Sequence, residues 1–175
     1  MYLDILILRH LSPGPLHGYE LKRKVQTTTA FRLHNNTLYP ALRRFEEAGA
    51  VTKVAEQQEG KPPRHVFTLT ELGRELLHDM IAELPPDLAD NEAEFLTRLG
   101  MFAELSAAER RAVLATRDEA LLRQLTHLRL LADLARGSAA HHDWGSVVTG
   151  FLIEQIERER ALLGGLTARA EQGPS

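Results

Sequence analysis

The chain has 175 residues with 43% hydrophobic and 26% charged side chains, a balance that argues against wholesale disorder and allows one or two folded units. It contains no cysteine, which excludes disulfide frameworks, thiol nucleophiles and cysteine-ligated zinc. Net charge is −3, from 21 Lys+Arg against 24 Asp+Glu, and taken alone that disfavours a polyanion partner. The charge is unevenly spread, however. Residues 1–80 hold 11 basic and 9 acidic side chains, whereas 81–175 hold 10 and 15, so any nucleic-acid surface belongs to the first half.

In chain order, Met1 to Leu11 is apolar on most faces, as a short buried helix is. Asp4 and Arg9 interrupt it and no basic leader precedes it, so it does not read as a signal peptide. No stretch approaches the roughly 18–20 apolar residues of a membrane helix, and a cytoplasmic, nucleoid-associated protein without membrane contact is expected. Ser12-Pro13-Gly14-Pro15 is a turn. His17 to Val25 is a short amphipathic helix with Leu21 and Val25 inward, and Thr27-Thr28-Thr29 reads as a loop. A further helix starts near Asn35 or Asn36, either of which can cap it, and stops at Gly49.

Two short strand-like runs follow, Val51–Val54 and His65–Leu69, flanking a polar loop from Gln57 to Arg64 with a partly basic tip. From Thr70 the chain returns to helix until Leu84-Pro85-Pro86-Asp87 stops it. The order helix, helix–turn–helix, hairpin, helix is that of a winged helix–turn–helix. The rest reads as helix: Asn91–Glu104, then a helix of about 30 residues opened by the capping box Ser106-Ala107-Ala108-Glu109 and ended by Gly137-Ser138. A last helix runs from about Trp144 to Arg169. The fold class is therefore mainly α with a small β-wing. Its expected domains are a winged helix–turn–helix over 1–84, a helical dimerisation and effector region over 85–170, and a disordered tail over 171–175.

The segment from Asn36 to Gly49 carries the chemistry. At 100° per residue, Leu38, Ala41, Leu42 and Phe45 share one sector, opposite Asn36, Pro40, Arg43 and Glu47, with Thr37, Tyr39 and Arg44 on the flanks. Amide and hydroxyl groups can bond base edges, and guanidinium can grip guanine or phosphate, as a major-groove helix requires. A surface helix with a merely solvated polar face has the same periodicity. The hairpin tip adds Lys61 and Arg64 on a proline-stiffened loop, where each phosphate contact releases counterions. Lys22, Arg23 and Lys24 are candidates for positioning contacts to phosphate.

Three stretches, Leu11-Ser-Pro-Gly-Pro-Leu-His-Gly-Tyr-Glu-Leu21, Asn36-Thr-Leu-Tyr-Pro-Ala-Leu-Arg-Arg-Phe-Glu-Glu-Ala-Gly49 and Pro63-Arg-His-Val-Phe-Thr-Leu-Thr-Glu-Leu-Gly-Arg74, closely resemble the PadR family of bacterial transcriptional regulators. The resemblance implies a winged-helix repressor that dimerises through its C-terminal helices and binds double-stranded DNA at an inverted repeat. It assigns Asn36, Thr37, Tyr39 and Arg43 to the major groove; Asn35 and Arg44 are further candidate DNA contacts on the same helix. It places Tyr19 near backbone phosphate, and Lys61 and Arg64 on the wing. It further implies a small aromatic or drug-like effector.

Physical reasoning independently favours a homodimer. A 30-residue helix is about 45 Å long, more than the winged module can cover. Its row Leu114, Leu121, Leu125, Leu128, Leu131 and Ala135 must lie on the last helix, on a second chain, or on both. Trp144 and Phe151 are the candidate effector contacts by stacking, with a plain core role as the alternative. His141-His142-Asp143 offers ligand atoms, but adjacent residues do not easily all face one ion, and neither a metal nor a cofactor is expected. No phosphate loop, dinucleotide glycine pattern, Gly-x-Ser-x-Gly or His-Glu-x-x-His is present, so an enzyme is not expected. Two rival readings remain: a winged-helix module for protein–protein contact, and a ligand sensor acting through its helical half.

Overall fold

A computed structural model describes residues 1–28, 34–58, 61–136 and 144–170. The chain divides into two compact units, Met1–Ile81 and Ala82–Ser175. The first contains α1 (Tyr2–Leu11), β1 (Leu16–His17), α2 (Gly18–Thr28), α3 (Asn35–Glu47), β2 (Val51–Gln58), β3 (Lys61–Leu69) and most of α4 (Glu71–Ala82). The second contains α5 (Glu92–Leu99), a 3₁₀ turn at Phe102–Glu104, α6 (Ala107–Arg136) and α7 (Trp144–Ala170).

In the first unit α1 packs on α2 and on β3, and α3 packs on β2. Ile5, Ile7, Leu8 and Leu11 of α1 are buried, as are Leu21 and Val25 of α2 and Leu38, Ala41, Leu42 and Phe45 of α3. These last four are the apolar sector of the helical wheel, and their burial turns the polar sector outward. Gly49 follows α3 at φ +73°, a left-handed conformation that glycine adopts without steric cost. Thr70 starts α4: its hydroxyl accepts from the Gly73 N–H at 3.0 Å and donates to the Gly49 carbonyl at 2.7 Å.

The sheet is antiparallel with strand order β1-β3-β2. Here the structure corrects two expectations. Strands β2 and β3 run much further than the two hydrophobic runs, so Glu56 pairs with Arg64 and Gln58 with Lys61, with an irregularity between Glu56 and Gln58. The polar stretch expected as a loop is mostly strand, because ladder hydrogen bonds between backbones need no apolar side chains. The second correction is β1, in which Leu16 pairs with Phe67 and His17 with Val66. Two residues are too few to show any periodicity. Thr27 and Thr28, expected in a loop, end α2.

In the second unit Asn91 caps α5 by accepting from the Ala93 and Glu94 N–H groups at 2.9 and 3.3 Å. The helix expected to continue to Glu104 stops at Leu99 and is replaced by the 3₁₀ turn. The capping box of α6 forms in both directions, Ser106 N–H to Glu109 Oε2 at 2.7 Å and Glu109 N–H to Ser106 Oγ at 3.3 Å. Helices α6 and α7 pack against each other. Leu114, Leu121 and Leu125 are buried with Ile156 and Leu163, and Leu128, Ile153 and Leu166 partly cover that core.

Charges are buried here as well. Arg98 is fully enclosed, donating to Glu94 Oε2 at 2.8 Å and to the carbonyls of Glu83 and Glu94. Arg117 holds Glu159 through two bonds and the Ala89 carbonyl through a third. The tail 171–175 and the Gly137-Ser138 stop lie outside the described residues.

Candidate nucleic-acid interface

Helix α3 presents the candidate readers on one outward face. Asn35, Asn36, Thr37, Tyr39, Arg43 and Arg44 are all exposed, while the opposite side of the helix is sealed in the core. Among the described residues Arg43 has only a long, exposed contact to Glu47, 3.8 Å one turn on, which is worth little in water and leaves its guanidinium available. Arg44 differs. Its Nη2 donates to Asp4 Oδ1 at 2.6 Å, and the guanidinium lies 5.6 Å from the centre of the Phe45 ring. It straps α3 to α1, and nothing in the local sequence around Arg44 signals a partner 40 residues away.

The start of α3 also departs from expectation. His34 is the N-cap residue, without a side-chain bond to the helix, and Asn35 does not cap it. The Asn35 carboxamide oxygen instead accepts from Lys22 Nζ at 2.8 Å, which ties α2 to α3. Tyr39 faces the first residue of α2: a Cβ on Gly18 would stand 3.0 Å from the Tyr39 hydroxyl. Helices α2 and α3 are thus joined at two points, by Lys22–Asn35 and by Tyr39 over Gly18.

The wing is tied to the same corner. The Arg64 guanidinium lies 5.7 Å from the centre of the Tyr19 ring, and that ring stacks on His17 at 5.7 Å with an interplanar angle of 13°. His17 Nε2 in turn stands 3.6 Å from Glu56 Oε2, the β2 residue paired with Arg64 across the ladder. Arg64 and Tyr19 therefore form one unit, which sequence spacing does not reveal. His17 and Glu56 are additional members of this corner, and no sequence signal marks them. Arg64 lies within β3, not on a free tip. Lys61 is the first residue of β3, and its side chain lies outside the described residues, as does Gly60.

The candidate effector residues fare differently. Trp144 is 80% exposed and Phe151 55%, so neither is a core residue of this chain. Ile156 and Leu163 of α7 are buried with α6, whereas Val147 and Val148, like Trp144 and Phe151, stay exposed. A groove of about 750 Å³ does run between α5, α6 and α7, lined by Phe95, Leu96, Leu99, Leu121, Leu128 and Leu152 among others; Trp144 and Phe151 are not among them. No three His, Cys, Asp or Glu side chains gather as a metal site requires among the described residues, and His141-His142-Asp143 lies outside these. No helix among the described residues is long and apolar enough to cross a membrane.

Comparison with known proteins gives a family match over the first unit. Residues 7–79 match the model of the transcriptional regulator PadR-like family, whose members are regulators and not enzymes. The chain is 38% identical over 74 residues to an uncharacterised 37.1 kDa protein in transposon TN4556 of Streptomyces fradiae. That match covers 42% of the chain and only 20% of the transposon protein, so the chain spans about a fifth of that relative's length. It is 24% identical over 165 residues to the negative transcriptional regulator PadR of Bacillus subtilis, covering 90% of each. Among solved structures, Bacillus subtilis PadR in complex with operator DNA is similar at 21% identity and a TM-score of 0.45, over 97% of this chain and 99% of that one.

Proposed function

From the premise that residues 7–79 belong to the transcriptional regulator PadR-like family, we propose that this protein binds duplex DNA sequence-specifically as a homodimer and represses transcription from an inverted-repeat operator. The observation that carries the proposal is the outward face of α3, where amide, hydroxyl and guanidinium groups stand exposed above a sealed apolar side. Asn36, Thr37, Tyr39 and Arg43 are the proposed base-edge readers. Tyr19 and Arg64 hold backbone phosphate together, with Lys61 on the wing. Arg44 is reassigned to fixing α3 against α1. Repression is supported by the name of the Bacillus subtilis relative, a negative transcriptional regulator.

Dimerisation through the C-terminal helices is supported by the apolar side chains that α6 and α7 leave uncovered. Leu130, Leu131 and Leu134 of α6 and Trp144, Val147, Val148 and Phe151 of α7 are between 44% and 80% exposed. Such a run of large apolar groups is characteristic of interaction surfaces. A twofold dimer places two reading helices about 34 Å apart, one DNA turn. The boundaries proposed for the DNA-binding and helical regions are 1–84 and 85–170. The effector part of the proposal, a small aromatic or drug-like compound, rests on the α5–α6–α7 groove, whose volume falls in the range of small-molecule sites, about 300–1,000 Å³.

The test is selection of bound sequences from a random duplex library by the purified protein, followed by Arg43→Ala and Lys61→Ala. A two-fold symmetric motif is expected. Arg43→Ala should cost about 1–3 kcal/mol on that motif and relax one position of it. Lys61→Ala should weaken all sequences alike and reduce the salt slope by about one. Failure to enrich any motif at modest ionic strength refutes the proposal and leaves protein–protein contact or ligand sensing as the function.

A further inference from the structure

Helix α3 contains a proline, Pro40, past its first turn. Proline is the least favourable residue in a helix interior, because it has no N–H and its ring presses on the carbonyl four residues earlier. The carbonyl affected here is that of Asn36. The helix nevertheless runs on to Glu47. Pro40 is exposed, and the residues that anchor α3 in the core are Leu38, Ala41, Leu42 and Phe45, so packing does not explain the proline.

At about 100° per residue, Pro40 lies about 40° from Asn36 on one side and Arg43 about 20° on the other. All three are exposed, in the middle of the outward face and opposite the buried sector. A helix carbonyl points toward the residue four places on, which puts the Asn36 oxygen on this face. Other carbonyls of the ladder keep a second lone pair, but they are bonded along the axis. The Asn36 carbonyl lacks its ladder donor and is crowded off the axis by the proline ring, so it turns outward as an acceptor. It belongs to the first turn of α3, the part of a reading helix that reaches base edges. Phosphate oxygens are acceptors and cannot bond it. Guanine shows the major groove only N7 and O6, and thymine only O4 and a methyl group, so neither can donate to it. Cytosine N4 and adenine N6 are the donors there.

We infer that the main-chain carbonyl of Asn36, freed by Pro40, accepts from a base amino group in the major groove of each half-site. It favours cytosine or adenine at that position and rejects a base that sets an acceptor against it. The inference rests on the DNA-binding reading above and deepens it. The main chain selects sequence alongside the Asn36 side chain, and Pro40 is the residue that makes it available.

The experiment uses the full chain and the motif that it selects from random duplex DNA. Each adenine of a half-site is replaced in turn by purine and each cytosine by 2-pyrimidinone, analogues that lack only the amino group. At one position the loss of affinity should be about tenfold, as for a desolvated acceptor left unpaired. The analogue that causes it identifies the base. The same loss should persist in Asn36→Ala, which keeps the carbonyl. It should fall below about twofold in Pro40→Ala, whose new N–H draws the carbonyl back into the ladder. Pro40→Ala should bind the unmodified motif about tenfold more weakly and random DNA with an unchanged salt slope, since no charge is altered. It should also unfold at a higher urea concentration, because a helical hydrogen bond is regained.

Three results overturn the inference while leaving DNA binding intact. In the first, no position is sensitive to loss of its amino group. In the second, the analogue penalty disappears in Asn36→Ala, which gives the amino group to the Asn36 side chain. In the third, Pro40→Ala keeps the full penalty or lowers the urea midpoint, which makes the proline a part of the fold alone. Selection of no motif by the wild-type chain refutes the underlying reading and the inference with it.

Discussion

Substitution of Glu159 by alanine tests how the helical unit is held together. Arg117 is almost completely buried, its side chain 4% exposed, and Glu159 is 28% exposed. The guanidinium donates from Nε to Oε1 at 2.8 Å and from Nη2 to Oε2 at 3.0 Å, while Nη1 donates to the Ala89 carbonyl at 2.6 Å. It also lies 5.5 Å from the centre of the Phe95 ring. Glu159→Ala removes two of those three bonds and leaves the cation enclosed. Breaking one side of a buried pair costs about 3–5 kcal/mol, and each hydrogen bond to a charged group about 1.5–3 kcal/mol. Because Glu159 is more than a quarter exposed, water reaches the vacated space and offsets part of that loss. The expected cost is about 2–3 kcal/mol. Removing both charges with Arg117→Met and Glu159→Leu should recover part of that loss, since an apolar pair carries no desolvation cost, while the buried Ala89 carbonyl loses its donor and keeps the variant below wild type. The measurement is urea unfolding followed by helical circular dichroism at fixed protein concentration. A Glu159→Ala variant within about 0.5 kcal/mol of wild type refutes the reasoning. So does a double variant as unstable as the single one.

Three further outcomes are expected. Burial, followed by the cations of Lys24 and Arg9, holds the His10 imidazole below its ordinary 6.5. The unfolded chain then binds the proton more readily than the folded one, so stability rises with pH through this window and is lost as pH falls below 6.5. His10→Gln should narrow the difference between urea midpoints at pH 5 and pH 7, and an unchanged difference assigns it to another group. Phe151→Glu sets a charge on the exposed apolar face and should yield monomers by sedimentation at micromolar concentration with helix content intact; a persisting dimer moves the interface elsewhere. Asp4→Ala releases Arg44 from α1, which should cost under about 1 kcal/mol in stability, as exposed pairs do. The freed guanidinium should raise the salt slope of DNA binding by about one, and an unchanged slope leaves Arg44 away from phosphate.

The reading face of α3 is legible from residue order because helical periodicity alone decides which side is apolar. Leu38, Ala41, Leu42 and Phe45 are the residues that the fold buries. How the face is held in place is not legible in the same way. Asp4 on Arg44, Lys22 on Asn35 and Arg64 over Tyr19 each join residues on different elements, and no spacing rule connects them. The same holds for the wing. Its polar half joins the ladder through backbone pairing, so hydrophobicity could not mark where β2 ends and β3 begins.

The exposed Trp144 and Phe151 follow the same logic in reverse. Their apolar character is plain from residue type, but whether they are covered depends on a layer that one hairpin does not supply. By itself, the sequence determined what short-range hydrogen bonding and a 3.6-residue repeat can decide. The Ser106–Glu109 cap, the left-handed Gly49 and the inward sectors of α2 and α3 are of that kind. Only the tertiary structure decided which charges are enclosed, which donors are already engaged and which apolar stripes stay open. Each of these depends on a partner distant along the chain, brought close by folding.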